Sequence, residues 1–276
     1  MNRLLSADFA RLRRDKVFWI GVIAMFALGL WRALGGYFAM QRTGAVTTLD
    51  SVFFTYVVPI GVILAAFCSL FIGTQHSDGA IRNKLIVGHS RQCVYLANLI
   101  VCTAAGLLIT LAYLAAVCLV GVPLLGFFHT ALGTILLLFG GTLLMIAALC
   151  ALFVLLCMQN QNKAVLAVLC IIGFGVLLLA ATYLSARLSA PEFYDGYVFL
   201  GENGAPSTQP LVNPDYLRGI QRQIAQFFLD FLPTGQVIQY AEFSAGHLWQ
   251  MPLYSLLIGI AATLSGVFAF RKKDIK

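Results

Sequence analysis

The side chains in this sequence that could do chemistry are four histidines and seven cysteines. His76, His89, His129 and His247 lie far apart, and none belongs to a His-Glu-x-x-His zinc motif. The cysteines include no Cys-x-x-Cys pair, which favours small apolar side chains over metal ligands. We therefore expect no metal site.

Motifs for phosphate binding and for nucleophilic catalysis are missing as well. A phosphate-binding loop needs a Gly-Lys pair, so that backbone N–H groups and a lysine surround the phosphates, and no such pair occurs. There is also no Gly-x-Ser-x-Gly turn. The sequence predicts a chain that is not an enzyme and holds no cofactor of its own.

The composition indicates which elements position these residues. Hydrophobic residues make up 60% of the chain and charged residues 11%, against about one quarter charged in soluble domains. Residues 92–162 include no Asp, Glu, Lys or Arg, and this stretch is far longer than the about 20 apolar residues of one membrane-spanning helix. Pro123, Gly126 and His129 mark a turn that divides it in two.

Similar apolar stretches predict an all-α polytopic membrane protein with a single domain over residues 1–276. The six predicted transmembrane helices are 17–37, 52–72, 94–120, 131–157, 164–184 and 251–270. A cytoplasmic N-terminus would place most Lys and Arg residues in cytoplasmic segments, which is the usual bias. Both termini, including the tail 271–276, are then cytoplasmic. Anionic membrane lipid explains the net charge of +7, so no nucleic acid partner is expected.

The segment before the first span, residues 1–16, is predicted to be an interfacial helix. Met1, Leu5, Phe9 and Leu12 form an apolar stripe at helical spacing. A basic leader that frays is the alternative. The first span lacks a small-residue cleavage site, so it is interpreted as a retained anchor and not as a signal peptide.

The only large predicted extramembrane region is 185–250. Its first part, 190–214, is rich in Pro, Gly and Asn and predicts an irregular loop. Its second part predicts an amphipathic helix that Pro233 and Gly235 end. This helix would lie on the outer membrane surface or cap the outer ends of the spans. Its apolar face comprises Ile220, Ile224, Phe227, Phe228 and Phe231.

The loop between the second and third spans, residues 74–92, is polar and is predicted to contain a short helix. Ser77 or Asp78 can cap this helix, and Gly88 can end it. Apolar side chains beside a basic edge favour a docking partner, and an ordinary basic loop is the alternative. The predicted partner-binding residues are Ser77, Asp78, Gly79, Ile81, Arg82, Lys84, Leu85, Ile86 and Gly88.

This loop also carries a family resemblance. The run GTQHSDGAIRNKL at 73–85, followed by GHSR at 88–91, resembles the first cytoplasmic loop of type-2 ABC exporter permeases, near the bacterial bacitracin and lantibiotic resistance group. LPTGQ at 232–236 and FRKKDI at 270–275 are similar to the same group. Gln75 stands where the family commonly has Glu, and Ala80 where it often has Thr.

The resemblance implies an elbow helix at 1–16, a coupling helix at about 77–88, and outer helices between spans five and six. It also implies a permease dimer in the bacterial inner membrane, bound to separate ABC ATPase subunits that hold ATP and Mg. The spans have few polar side chains, which favours an amphipathic or lipid-like substrate such as a peptide antibiotic, a drug or a lipid.

Two functions remain open from the sequence. The leading hypothesis is a transport subunit driven by a partner ATPase, and the alternative is a membrane-bound scaffold or sensor. An intramembrane enzyme or ion-coupled transporter is disfavoured, because the only ionised residue within a span is Arg32, which is expected to snorkel to the outer surface. A second copy or a close paralogue is expected to contact small residues such as Gly21 and Gly29.

Overall fold

The computed structural model describes residues 1–44, 46–160, 162–194, 198–200, 206–208 and 211–273. Within them it has twelve α-helices and four short β-strands. The helices are α1 Asn2–Arg14, α2 Lys16–Thr43, α3 Leu49–Phe53, α4 Val57–Ser77, α5 Ala80–Ile86, α6 Arg91–Ala116, α7 Val122–Leu125, α8 Leu132–Gln159, α9 Lys163–Ser189, α10 Gly219–Phe231, α11 Pro233–Ala241 and α12 Gln250–Lys272. The strands are β1 Phe193–Tyr194, β2 Val198–Leu200, β3 Pro206–Thr208 and β4 Leu211–Val212.

Six helical segments of the described chain are long and apolar enough to cross a membrane, which confirms the predicted number of spans. They are α2, α3 with α4, α6 with α7, α8, α9 and α12, and they have 23 to 35 residues. A 3-10 turn, Phe54–Tyr56, joins α3 to α4, and a π-helical turn, Val117–Gly121, joins α6 to α7. The shortest span is about 35 Å long, which exceeds the about 30 Å of a bilayer's hydrocarbon core.

Polar caps and a glycine set the ends of several spans. Asp15 has an extended backbone that ends α1, and its carboxylate accepts a hydrogen bond from the Phe18 N–H at 2.9 Å. Ser90 caps α6 in the same way. Gly44 adopts a left-handed conformation, φ 68°, after the last turn of α2. The segment before the first span is therefore a separate helix, α1, as predicted, and its position at the membrane interface stays a prediction.

The centre of the bundle is formed by α4 and α8. In the most apolar stretch of each span, 61% of the residues are buried for the span with α4 and 67% for α8. The corresponding share is 22% for both α9 and α12. The main packing pairs are α8 with α12, α2 with α6, and α4 with α8 and α9. The peripheral helices expose many Leu, Ile and Phe side chains. Lipid is the environment in which such apolar surfaces are stable.

The alternation of the spans gives the bundle two chemically different ends. The first, here called the α5 end, carries α1, α5 and the C-terminus of α12. The opposite end, called the α10 end, carries α3, α7, α10 and α11. The bias of basic residues predicts that the α5 end faces the cytoplasm.

The segment after α9 is more regular than the sequence predicted. Within the expected loop 190–214, β1 pairs with β4 and β2 with β3, each antiparallel; residues 195–197, 201–205 and 209–210 lie outside the described residues. The amphipathic helix α10 ends at Phe231 and Leu232 is extended, so the helix stops before Pro233 as predicted. Pro233 also begins a further helix, α11, because proline is tolerated in the first turn of a helix, where its missing N–H is not needed. In the predicted tail, residues 274–276 are not described.

Candidate partner-docking site and buried polar clusters

A helix, α5, is present where the coupling helix was predicted, but it is shorter than expected. The expected cap Ser77 belongs to α4, because its hydroxyl bonds back to the Gly73 carbonyl at 3.1 Å. Asp78 follows α4, and Gly79 turns the chain with φ 67° before α5 begins at Ala80. Gly88, with φ 97°, ends the helix as predicted. A glycine in the left-handed conformation thus lies on each side of α5, and these two turns limit the helix to a short segment at the end of the bundle.

The exposed face of α5 differs from the predicted one. Ile81 is buried, and Leu85 packs partly buried against the core, so neither presents a surface to a partner. Ile86 is 73% exposed and Val87 77% exposed, with Arg82 also exposed. Residues four apart share a helix face, so Ile81 and Leu85 point inward while Arg82 and Ile86 point outward. The candidate docking surface is therefore Arg82, Asn83, Ile86 and Val87.

Lys84 was predicted on the docking edge, and the structure places it inside. Its ammonium donates to Asp8 Oδ1 at 2.6 Å and to Gln75 Oε1 at 2.8 Å. The side chains of Lys84 and Asp8 are only 15% and 3% exposed. The prediction failed because Asp8 of α1 and Gln75 of α4, both on helices other than α5, lie beside its ammonium.

The contacts of Lys84 continue into the spans. Gln75 is fully buried and donates from Nε2 to Asn98 Oδ1 at 2.7 Å. Asn98 in turn donates to the Val94 carbonyl at 3.0 Å. These side chains connect α1, α5, α4 and α6 through one buried polar cluster, here called the Lys84 cluster (Asp8, Gln75, Lys84 and Asn98). A displacement of α5 would act directly on two membrane spans.

A second link holds α1 against the turn before α5. Arg11 donates to Thr74 Oγ1 at 3.1 Å and to Asp78 Oδ2 at 3.3 Å. The Asp78 side chain is 64% exposed, so this ion pair contributes little stability on its own. Asp78, predicted to bind a partner, already has an internal partner in Arg11. Side-chain contacts therefore hold α1 against the turn that precedes α5.

The segment after α5 also contacts the C-terminal end of α12. Arg91 donates to the carbonyl groups of Phe270, Arg271 and Lys273. Lys273 donates from Nζ to the Met158 carbonyl at 2.9 Å, and partial burial lowers the pKa of this ammonium below its usual value. The α5 end is therefore connected by hydrogen bonds to the ends of α8 and α12.

The amphipathic helix predicted at the other end is confirmed as α10. Its apolar face is open to the surroundings: Ile220 is 73% exposed, and Ile224, Phe227 and Phe228 are about half exposed. Phe231 is partly buried, and its ring stacks on that of Phe227 at 5.6 Å. An exposed aromatic face on a helix beside membrane spans is typical of an interfacial helix.

The opposite side of α10 holds a polar cluster that the sequence did not reveal. Asp230 is 3% exposed and accepts hydrogen bonds from Gln226 at 2.8 Å and Gln239 at 2.9 Å. Its other oxygen bonds to His247 Nδ1 at 2.8 Å. The His247 side chain is half exposed and has this partner. We call these four residues the Asp230 cluster. No signal in the sequence joins residues on three separate elements.

The LPTGQ run has a structural explanation beside this cluster. Gly235 lies so close to the Leu229 backbone that a side chain would collide with it. Gln236 is fully buried, donates to the Asp230 and Met251 carbonyls, and accepts a hydrogen bond from Ser255 at 2.6 Å. The run therefore joins α10, α11 and α12 at the α10 end.

Gly21 and Gly29, expected at a contact with a second copy, instead face the inside of this chain. A Cβ added to Gly29 would lie 2.8 Å from the Tyr113 carbonyl oxygen, and one added to Gly21 would lie 3.2 Å from Ile109. Both glycines allow α2 to approach α6 closely. The prediction was wrong because glycine spacing does not show which neighbour a helix approaches.

Groups that could hold a metal ion, with three or more His, Cys, Asp or Glu side chains together, are not found among the described residues. Five of the seven cysteines are buried, whereas Cys93 is partly exposed and Cys118 exposed.

Comparison with known families gives a match over most of the spans. The model of a family described as ABC-2 family transporter protein matches residues 4–183, which is more than half of the chain. No curated protein matches the sequence. The matched region runs from α1 into α9 and includes the whole α5 surface and the Lys84 cluster.

Proposed function

Because this chain belongs to the ABC-2 transporter family, we propose that it is the permease subunit of an ABC exporter and moves an amphipathic or lipid-like substrate outward. The family is one of transporter membrane subunits and does not itself hydrolyse ATP. ATP and Mg would bind to separate ATPase subunits at the α5 end. The chain would lie in a bacterial inner membrane with both termini in the cytoplasm, consistent with the basic residues at that end.

The observation that carries this proposal is the exposed apolar tip of α5. Ile86 and Val87 are among the most exposed large apolar side chains of the described chain, and they lie beside exposed Arg82. An apolar pair flanked by a cation matches the anchor and polar rim of a protein interface. An ATPase groove with an acidic rim fits this surface.

The Lys84 cluster supports a coupling role. Because Lys84 binds Asp8 of α1 and Gln75 of α4, a push on α5 would move α1 and α4 with it. The bond from Gln75 to Asn98 extends this connection to α6. Closure of the ATPase subunits would in this way reorient the spans.

A second copy of the chain, or a close paralogue, would complete the transport path. The peripheral helices α9 and α12 leave most of their apolar surface uncovered within one chain. Substrates in keeping with the resemblance are peptide antibiotics, drugs and lipids, and a role in antimicrobial peptide resistance is part of the proposal. A functional complex with a single copy of six spans would contradict the dimer.

The docking proposal is tested with Ile86→Asp in membranes that contain the cognate ATPase. A charge at a central anchor is expected to reduce ATPase pull-down by tenfold or more, on the order of the about 2 kcal/mol of an interface hot spot. The matched control is Val46→Asp, which changes a side chain that is 79% exposed outside α5. Full binding and full transport by Ile86→Asp would show that α5 does not dock the ATPase.

A further inference from the structure

Arg32 is a cation within the first span and has neither an ion-pair nor a hydrogen-bond partner in the described part of the chain, although Tyr113 on α6 is near enough to interact with it electrostatically. It lies on α2 and is exposed. No described carboxylate lies within 4 Å of its guanidinium, and it makes no hydrogen bond to described residues. A charged side chain within a membrane span is costly, so it usually marks a ligand or ion pathway.

The position of Arg32 along α2 places it in the half of the membrane toward the α10 end. It follows Lys16, the first residue of α2, by 32 − 16 = 16 positions. This separation is about 24 Å along the helix axis, within the about 30 Å of the hydrocarbon core. Its guanidinium can therefore reach the level of lipid headgroups only at that end.

A cavity of about 380 Å³ opens beside Arg32. Gly35 and Gly36 line it, and no heavy atom lies within 4 Å of the position that a Cβ of Gly35 would occupy. Thr47 and Ser51 supply hydroxyl groups on the other side. The Thr47 hydroxyl makes no hydrogen bond to described residues, so it is available as a donor.

The acidic residue closest in sequence to this cavity wall does not neutralise Arg32. Asp50 on α3 is buried, and its Oδ2 accepts a hydrogen bond from the His129 N–H at 2.9 Å. The cavity therefore combines an unpaired guanidinium, a free hydroxyl donor and empty space. That combination suits an anionic group, because guanidinium binds phosphate and carboxylate through two parallel hydrogen bonds.

We propose that this cavity binds the anionic headgroup of a lipid-like amphiphile, and that the transported substrate belongs to this class. The assignment of this class to the transported substrate rests on the proposed transport function. The chains of the amphiphile would follow the exposed side of α2, where Ile23, Ala27 and Trp31 are spaced one turn apart and Ile23 and Trp31 are 66% and 67% exposed. A free phosphate ion fits less well, because it would have to leave water to reach this depth.

The headgroup site is tested without an ATPase, using Trp31 as the reporter. In a Trp19→Phe, Trp249→Phe background, Trp31 is the remaining tryptophan of the three. The purified protein is placed in phosphatidylcholine nanodiscs that contain an equal mole fraction of brominated phosphatidylglycerol or brominated phosphatidylcholine. We expect bromine quenching to show that the anionic lipid is enriched about fivefold at Trp31. This factor corresponds to the attraction of one cation for an anionic lipid surface, about 1 kcal/mol.

Variants separate a specific site from general attraction. Arg32→Gln is expected to abolish the preference for the anionic lipid, whereas Arg42→Gln, in the last turn of the same helix, is expected to keep it. Equal quenching by the two lipids in the parent, or an unchanged preference in Arg32→Gln, would overturn the site.

Two further outcomes would also reject it. Full release of quenching by sodium phosphate would assign the cavity to free phosphate, and absence of quenching by either lipid would show that another chain covers α2. Because no ATPase is present, failure of this test leaves the docking result at Ile86 unaffected, and failure of docking leaves the lipid result unaffected.

Discussion

Asp8 at the α5 end and Asp230 at the α10 end are both almost fully buried carboxylates, but they are compensated in different ways. Asp8 has the Lys84 ammonium at 2.6 Å. Asp230 has two glutamine amides and the ring of His247. The first carboxylate is compensated by an ion pair, whereas the second relies mainly on hydrogen bonds.

This difference matches what each end has to do in the proposed transporter. One buried ion pair joins α1 to α5 directly, and the second link, between Arg11 and Asp78, is exposed and contributes little, so the connection between the docking segment and α1 depends mainly on one contact. The Asp230 cluster distributes the same task over three donors on separate elements. The α5 end should therefore be sensitive to loss of one side chain, and the α10 end more tolerant.

The largest effect is expected for Lys84→Met. This change leaves Asp8 as a buried charge without its cation, which should lower the free energy of unfolding by about 3–5 kcal/mol. The measurement is denaturant unfolding in detergent, with Arg82→Met on the exposed face of α5 as the control. Asp8→Asn combined with Lys84→Met should recover most of the loss, since no charge then stays unpaired. If Lys84→Met and Arg82→Met were equally stable, the α5 end would not be especially sensitive to the loss of Lys84, and the proposed difference between the two ends would be wrong.

The next effect is expected on the exposed face of α10. Phe227→Asp with Phe228→Asp should destabilise the protein by about 1.5–3 kcal/mol in lipid nanodiscs, because two half-exposed rings together lose about one side chain's worth of apolar burial. Gln223→Asp on the polar side of α10 is the matched control. If the double variant unfolds like the control in nanodiscs, α10 does not contact the membrane.

A smaller loss is expected for Asp230→Asn, because the carboxylate is replaced by an amide that keeps one acceptor oxygen. The expected decrease in unfolding free energy is about 1–3 kcal/mol, the usual range for a buried group left without a partner. Asp215→Asn is the control, since the side chain of Asp215 is 67% exposed in its ion pair with Arg187. A loss greater than that of Lys84→Met would reverse the comparison between the two clusters.

The smallest effect is expected for Arg82→Ala. An exposed rim charge contributes about 0.2–1 kcal/mol to an interface, so the affinity for the proposed ATPase partner should fall less than tenfold. The difference from the parent should shrink in high salt, because exposed charges are screened. Titration of the ATPase at two salt concentrations measures both. A loss as large as that of Ile86→Asp would make Arg82, and not the apolar tip, the anchor.

The sequence by itself determined the membrane class, the number of spans, and the amphipathic character of α10. These properties follow from the length and period of apolar stretches, because a bilayer requires about 20 apolar residues per helix and an interface requires one apolar face. The positions of Gly88 at the end of α5 and of residues 1–16 as a separate helix were also local signals, and both were correct.

Which side of each helix is buried depends on how the helices pack against one another, and this packing is seen only in the tertiary structure. The spacing of Ile81, Leu85 and Ile86 shows which residues share a face, but only the packing of α5 against α4 and α6 shows that Ile81 is buried and Ile86 is exposed. The same holds for Lys84, whose partner Asp8 is 76 positions away. A charged side chain is exposed or buried in an ion pair depending on which elements pack against it. Those elements are often distant in sequence, so local sequence patterns do not identify them.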